Sequence, residues 1–431
     1  MGFVDSTVTE LAGETTVAST GRESMFASLH FPGAGRYFVG LSLSMLGTWM
    51  QSIALSWLVV NELKGRGAAL SLLGVFQFAP TLLLGAWAGA LADRRDKRRI
   101  MLVTQTALGL CAIALAVLDF SNHESLPAVL ALSGVAGLAS AFDTPVRRSI
   151  IGELVPPSAV PNAMSLNTGV ITSSRVFGMA LGGFVTKWAG TSWCFLVNGI
   201  SYLAMIAAIG AMTTRAHAVA PPTSKRGVRD AVAHVWQTPT LRIAMGATTL
   251  VAKFTFNYGL TFPLMIKGVF GRDADGLGAL LAITSVGSFA GALVSARRRS
   301  PSLTLFLAAC VGMGLSATAA AFAPTFVLCN VACVPMGACG GLLMAQLSGM
   351  LTAQSEPSMR GRVLALQSVI FLGSTPLGGP IVGVIADHFG PRWAMASGGI
   401  AALAGGLGGL FAVSRRLRRA VLVASPHPGT G

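Results

Sequence analysis

Charge is what this chain has least of. Lys, Arg, Asp and Glu make up 11% of 431 residues, against 53% hydrophobic residues. Soluble domains carry about 25% charge, so this chain lacks the polar surface to be a string of them. Histidine is scarce too. His30, His123, His217, His234, His388 and His427 fall in tails, loops and span ends, which leaves no His–acid or His–Cys constellation at membrane depth for an embedded enzyme. The six cysteines, Cys111, Cys194, Cys310, Cys329, Cys333 and Cys339, all lie inside apolar runs. Cys329 and Cys333 share a helix face, but neither His nor acid stands beside them to complete a metal site, and no disulfide framework is implied. There is no Gly-x-x-x-x-Gly-Lys-Ser/Thr loop, which excludes an ATPase within the chain. The sequence therefore asks for no cofactor and no metal. A basic start with an early apolar core, the mark of a secretory signal, is also missing. Residues 1–24 carry Asp5, Glu10, Glu14 and Glu23 against Arg22 alone and read as a disordered leader, with a short interfacial segment at 25–36.

What the chain does have is long apolar stretches and 52 glycines. A spanning helix needs about 20 predominantly apolar residues, and small residues let such helices approach closely. Twelve runs fit, at 37–60, 68–91, 100–119, 127–146, 162–186, 193–213, 242–266, 277–296, 303–322, 326–349, 362–386 and 393–413. The expected fold is an all-α membrane protein of twelve transmembrane helices in two six-helix, pseudo-symmetric halves. Its divisions are an N-terminal tail 1–36, a half 37–213, a hydrophilic linker 214–241, a half 242–413 and a tail 414–431.

The net charge of +15 does not imply nucleic acid, because the basic residues sit in short clusters between apolar runs. They set orientation instead. With the N-terminus inside, 23 Lys and Arg residues fall in cytoplasmic segments, including five between Arg94 and Arg99. Six fall outside: Lys64, Arg66, Lys187, Lys267, Arg272 and Arg392. Both termini are expected in the cytoplasm of a multi-pass protein of the cell (plasma or inner) membrane. The halves repeat weakly. Gly85-x-x-x-Gly89-Ala-Leu91 returns as Gly287-x-x-x-Gly291-Ala-Leu293, and Leu181-Gly-Gly183 with Gly190-x-x-Trp193 returns as Leu377-Gly-Gly379 with Gly390-x-x-Trp393. Two repeats with a cavity between them make a transporter architecture.

The stretch Gly89-Ala-Leu-Ala-Asp93-Arg94-Arg-Asp-Lys97-Arg98 resembles the signature between helices 2 and 3 of the major facilitator superfamily. Four further stretches resemble its branch of enterobactin exporters and macrolide efflux proteins. They are Arg36-Tyr-Phe with Gly47-Thr-Trp-Met-Gln51, Phe142-Asp-Thr-Pro145 with Glu153-Leu-Val-Pro156, Pro161-Asn-Ala with Asn167 and Arg175-Val, and Arg360-Gly-Arg-Val363 with Thr375-Pro-Leu-Gly378. The chain departs from the family at Asp96, where the loop usually has Gly, and at Met179, where the helix-5 exporter motif has Pro. The resemblance implies a secondary transporter, most simply a proton-coupled exporter of amphipathic small molecules such as drugs, siderophores or secondary metabolites. A nutrient importer of the same fold is the alternative. Neither reading needs a partner chain, so a monomer is expected, with the bilayer, a small molecule and protons as partners and no nucleic acid.

The loop reads as a conformational latch. Asp93 can sit at the N-terminus of helix 11 near Gly361, where the helix dipole favours an anion. Gly89 leads into the loop, and Arg94, Lys97 and Arg98 can pair with Asp143 or Glu153. The resemblance implies that this network holds the outward-facing state. Ionisable groups in mid-membrane cost about 2.5–3.5 kcal/mol on insertion scales and are usually functional. Arg175 and Lys253 are two such groups with no acid at their depth, which suggests an anionic or electron-rich cargo. Helical spacing adds Ser44, Thr48 and Gln51, Asn167 and Ser174, Asn257 and Tyr258, with Gln77 and Gln367, as cavity lining. Phe254, Phe256, Phe371 and Met336 offer an adaptable apolar wall. Proton coupling needs a carboxylate that gains and loses a proton in the cycle, for which Asp143 and then Asp119 are the candidates.

Overall fold

The computed structural model describes residues 27–31, 33–92, 95–211, 228–298, 300–356 and 359–424. Among the described residues every regular element is helical. A short 3-10 turn at Ala27–His30 leads in, and the Ser28 hydroxyl bonds to Asn162 Oδ1 at 2.5 Å. The first half holds α1 (Ala34–Trp57, prolonged by a π turn at Leu58–Glu62), α2 (Gly67–Ala92), α3 (Lys97–Phe120), α4 (Leu126–Leu154), α5 (Val160–Ala189) and α6 (Thr191–Gly210). After a short helix α7 (Val228–Gln237) come α8 (Pro239–Phe254), α9 (Tyr258–Gly268), α10 (Ala274–Ala296), α11 (Leu303–Ala321), α12 (Phe326–Ala353), α13 (Arg360–Phe389) and α14 (Pro391–Ala424).

Ten of these elements are long and apolar enough to cross a membrane. The other two expected spans fall on α5 and on the α8–α9 pair. In α5 the run from Asn167 through Thr172, Ser173 and Ser174 to Arg175 dilutes the hydropathy of a 30-residue helix. The span expected as one helix over 242–266 is broken at Thr255–Asn257. There Thr255 Oγ1 donates to Gly398 O at 2.8 Å and Asn257 Nδ2 donates to Lys253 O at 2.6 Å. Such side chains compete with the helical ladder for backbone partners. The helix α7 lies in the stretch expected as linker, with Ala231 and Val235 buried.

Packing repeats between the halves. α2 packs on α4 as α10 packs on α12, α3 on α6 as α11 on α14, and α1 on α5 as α8 on α13. The two cross-half seams, α2 with α13 and α5 with α10, are likewise equivalent. Large apolar side chains such as Leu83, Val103, Leu110, Phe184 and Ile200 stand exposed, as lipid contact requires.

Single glycines turn α5 into α6 and α13 into α14. Gly190 has φ 98 and ψ 169, and Gly390 has φ 88 and ψ 168, a region essentially closed to residues with a Cβ. These two turns fix the internal register, and Gly183 corresponds to Gly383 and Lys187 to Asp387. The match of Gly183 with Gly379 suggested by the Leu-Gly-Gly pattern is therefore four residues out, about one helical turn. Asp96, where the resembling loop has Gly, caps α3: its carboxylate accepts from Arg98 N at 2.9 Å and Arg99 N at 3.3 Å. The α5 helix runs unbroken through Met179, in keeping with the missing proline.

Candidate functional site

A cavity of about 790 Å³ lies between the halves. Its walls come from α1 (Trp49 to Ser56), α2 (Leu70 to Phe78), α5 (Ser165 to Met179), the α8–α9 break (Phe256 to Pro263), α10, α12 and α13. Ser165, Thr168, Thr172 and Arg175 recur at helical spacing and so form one polar stripe down α5. Gln77, Ser285, Ser288 and Ser348 are among its other polar points, and Trp49, Phe78, Phe256, Phe289, Met179 and Met344 supply much of its apolar wall. Tyr258 stacks on Phe262 with ring centroids 4.9 Å apart, and Phe256 meets both Tyr258 and Phe371 edge-on.

Arg175 is the one charged residue among the described lining. Its guanidinium lies 6.0 Å from the Trp49 ring, and its Nε is buried without a hydrogen-bond partner. Of the eight expected cavity residues, Gln77, Arg175, Asn257 and Tyr258 line the cavity, while Gln51, Asn167, Lys253 and Gln367 stand outside the lining. The amide of Gln51 accepts from Asn198 Nδ2 at 2.7 Å, tying α1 to α6. Gln367 is engaged with Ser348, which itself faces the cavity. The α8 backbone at Lys253 presses on Gly378 of α13. Sequence spacing alone could not foresee this, because the break after Phe254 turns Asn257 and Tyr258 inward instead.

One end of the cavity is sealed. A Cβ built on Gly183 would lie 2.7 Å from the Gly278 Cα, and one on Gly67 would lie 2.5 Å from the Gly383 carbonyl, so each seam closes backbone against backbone. Two electrostatic ties flank these contacts. Lys187 Nζ meets Asp275 Oδ2 at 2.9 Å across α5 and α10. The Asp387 carboxylate, at the symmetry-equivalent position, accepts from Gly67 N at 2.7 Å and Ala68 N at 3.0 Å. It thereby satisfies two of the unpaired N–H groups at the start of α2. Ser71 Oγ adds a bond to Gly379 O at 2.8 Å. Spacing within one span cannot reveal this role of Asp387, since its partner is a backbone terminus 320 residues away.

The other end is the one that carries the α2–α3 loop. Asp93 and Arg94 lie outside the described residues. Lys97 pairs with Glu153 at 2.6 Å, as the spacing suggested. Arg98 donates to the Gly210 carbonyl at 2.5 Å rather than to an acid. Asp143 is enclosed between α3 and α4, where it accepts from Gln105 Nε2 at 2.7 Å and Thr104 Oγ1 at 3.1 Å and lies 3.7 Å from Arg147. Gly89 and Gly361 have open space where a Cβ would stand. Asp119, buried at the sealed end, accepts from Thr191 Oγ1 at 2.5 Å and Ser192 Oγ at 2.8 Å. Glu62 and Glu124 join it in a cluster whose oxygens lie within 4.8 Å of one another. Spacing along the chain does not reveal that group, because its members come from the end of the π turn after α1, the last turn of α3 and the α3–α4 loop.

Residues 26–427 match the family model described as transmembrane secretion effector. The multidrug efflux pump Tap of Mycolicibacterium fortuitum is 27% identical over 366 residues, covering 80% of this chain and 87% of that protein. The staphyloferrin A transporter of Staphylococcus aureus is 24% identical over 60% of this chain, which spans 66% of that relative's length, just under two thirds. Macrolide efflux protein A of Streptococcus pyogenes is 22% identical, covering 84% and 91%. Among solved structures, the D-xylose–proton symporter superposes with a TM-score of 0.68 at 13% identity over 88% of this chain and 96% of its own. A bacterial homologue of the human lysosomal transporter Spinster gives 0.66 at 16% identity over 92% and 99%. These last two likenesses bear on the fold. With twelve runs, two matched halves and a cavity between them, the chain belongs to the transmembrane secretion effector family and is a multi-pass transporter of small molecules in the major facilitator superfamily.

Proposed function

We propose that the protein is a proton-coupled exporter of amphipathic small molecules in the cell membrane, acting as a monomer by alternating access. The observation that carries this reading is the one-sided cavity, with two equivalent backbone seams closing one end and, among the described residues, no counterpart engaged around Gly89 and Gly361 at the other. The excess of Lys and Arg at the open end supports a cytoplasmic position for that end and for both termini. The conformation is then the one in which an exporter loads. Residues 37–213 and 242–413 rock against each other about the cavity, and 214–241 link them. As the seams part, Gly89, Asp93 and Arg94 of the latch close the cytoplasmic end, on a base that the pairs Lys97 with Glu153 and Arg98 with Gly210 already hold within the first half. The names of the relatives, efflux pumps among them, favour export.

For the proton, the cluster of Asp119 with Glu62 and Glu124 can hold one between like charges. Asp143, already bonded to three neighbours, is the second candidate. Proteoliposomes with an imposed pH gradient test the scheme. An amphipathic dye should move against the proton flux, and a protonophore or Asp119→Asn should stop it. Dye movement unaffected by the protonophore would reject proton coupling, and movement only toward the cytoplasmic face would make the protein an importer.

A further inference from the structure

We infer that the cavity selects amphipathic organic anions, whose carboxylate or sulfonate head is held by Arg175 while the apolar body lies on the aromatic and methionine wall. The inference deepens the transport reading above and rests on it. Arg175 carries the only formal charge among the described lining residues, and no Asp or Glu lies among them. Its Nε is buried with no acceptor. Among the described residues none accepts a hydrogen bond from its terminal nitrogens, and Arg175 lines the cavity. Trp49 covers the guanidinium at 6.0 Å without supplying an acceptor. A cation held in a low-dielectric site without an acceptor is costly. It persists at such a depth when it serves a function.

The surroundings fit an amphipathic anion of drug size. The volume of about 790 Å³ falls in the range of ligand pockets. Ser165, Thr168 and Thr172 form a hydroxyl stripe leading along α5 to Arg175 from the open end. A guanidinium offers a planar fork of donors that matches two oxygens of one oxyanion, which an ammonium does not. A cationic cargo would meet Arg175 with no carboxylate to offset the repulsion.

Binding to the full-length protein in nanodiscs, corrected with empty nanodiscs, tests this with three probes. They are 1-anilinonaphthalene-8-sulfonate, its neutral relative N-phenyl-1-naphthylamine, and the cation ethidium. Wild type should bind the sulfonate at least about tenfold tighter than the neutral probe, and ethidium most weakly. Arg175→Gln should weaken sulfonate binding about tenfold to a hundredfold, the range of one charge-assisted bidentate contact. It should leave the neutral probe within about twofold, and Arg175→Lys should recover part of the loss. Equal affinity for the charged and neutral probes in wild type, tighter binding of ethidium, or no effect of Arg175→Gln on the sulfonate would each overturn the assignment. So would a parallel loss of neutral binding in Arg175→Gln, which would make Arg175 a packing residue. Transport in proteoliposomes separates the two readings. Sulfonate bound through Arg175 but never moved would sink the transport reading alone. All three probes moved alike, with Arg175→Gln changing none, would sink the anion assignment alone.

Discussion

Removing the Asp387 carboxylate should open the sealed end, by an amount that the geometry sets. Its two oxygens accept from Gly67 N at 2.7 Å and Ala68 N at 3.0 Å, from α13 across to the first turn of α2. Loss of a side-chain N-cap costs about 0.5–2 kcal/mol. A negative charge at a helix N-terminus contributes about 0.3–1 kcal/mol. The bond joins the two halves, so the loss falls on the sealed state and not on the state in which α2 and α13 have parted. For Asp387→Ala, about 1–2 kcal/mol corresponds to a fivefold to thirtyfold rise in the ratio of opened to sealed molecules, at about 1.4 kcal/mol per factor of ten. Asp387→Asn keeps an acceptor and loses the charge, so about twofold to fivefold is expected. The assay is labelling of Ser56→Cys, a cavity residue near the sealed end, by an impermeant maleimide added outside intact cells. Five native cysteines are buried and Cys339 is half-buried, so the parent without the reporter supplies the background. Labelling rates should rise in the order wild type, Asp387→Asn, Asp387→Ala. Equal rates in wild type and Asp387→Ala would refute the reasoning.

Three further outcomes follow from the same geometry. Gly190→Ala and Gly390→Ala should each cost about 1–3 kcal/mol, read as a lower thermal midpoint, because φ near +90° with ψ near 170° strains any residue with a Cβ. Gly89→Val should leave the thermal stability of the cytoplasm-open form unchanged, since a Cβ there meets nothing, yet it should abolish transport if Gly89 closes against the other half later in the cycle. Asp96→Ala should lower the thermal midpoint through loss of an α3 cap worth about 0.5–2 kcal/mol. Asp96→Asn should restore most of it.

The helices were legible because lipid makes a simple demand: a run long enough, apolar enough, and bounded by Lys and Arg. Even there, α5 counts as a run over 162–186 although its own polar stretch dilutes the signal. The α8–α9 break escaped because Thr255 and Asn257 look like ordinary polar residues of a span until their backbone partners, Gly398 O and Lys253 O, are known. The cavity was half legible. Polar residues at helical spacing mark a face, but a face can meet a neighbouring helix as well as a cavity. Gln51 was used up by Asn198 and Gln367 by Ser348, each a pairing between helices that spacing within one helix cannot reveal. Arg175 was legible because no acid at its depth existed in the sequence, and none stands beside it among the described residues.

The glycine pattern carries the remaining argument. Gly287 and Gly291 looked like repeats of Gly85 and Gly89, yet the two pairs do different work. In the second half they press against Val334 and Ala338 of α12, while Gly337 and Gly341 press back on Thr284 and Ser288, and that helix pair is locked. In the first half the equivalent α2–α4 contact is made by Gly137 against the Phe76 and Gln77 carbonyls, and Gly85 and Gly89 take no part. Glycine in a helix interior costs stability, about 0.5–1 kcal/mol relative to Ala, unless close approach requires it. Gly183, Gly278, Gly67 and Gly383 meet that requirement at the sealed end. Gly85 and Gly89 meet no such neighbour: a Cβ at Gly85 would touch only Thr81 of its own helix, and nothing described lies within 4 Å of one at Gly89. Under the alternating access proposed above the requirement is met when the open end closes over them, so these two glycines, spaced like the locked pair Gly287 and Gly291, fit the second state that transport demands.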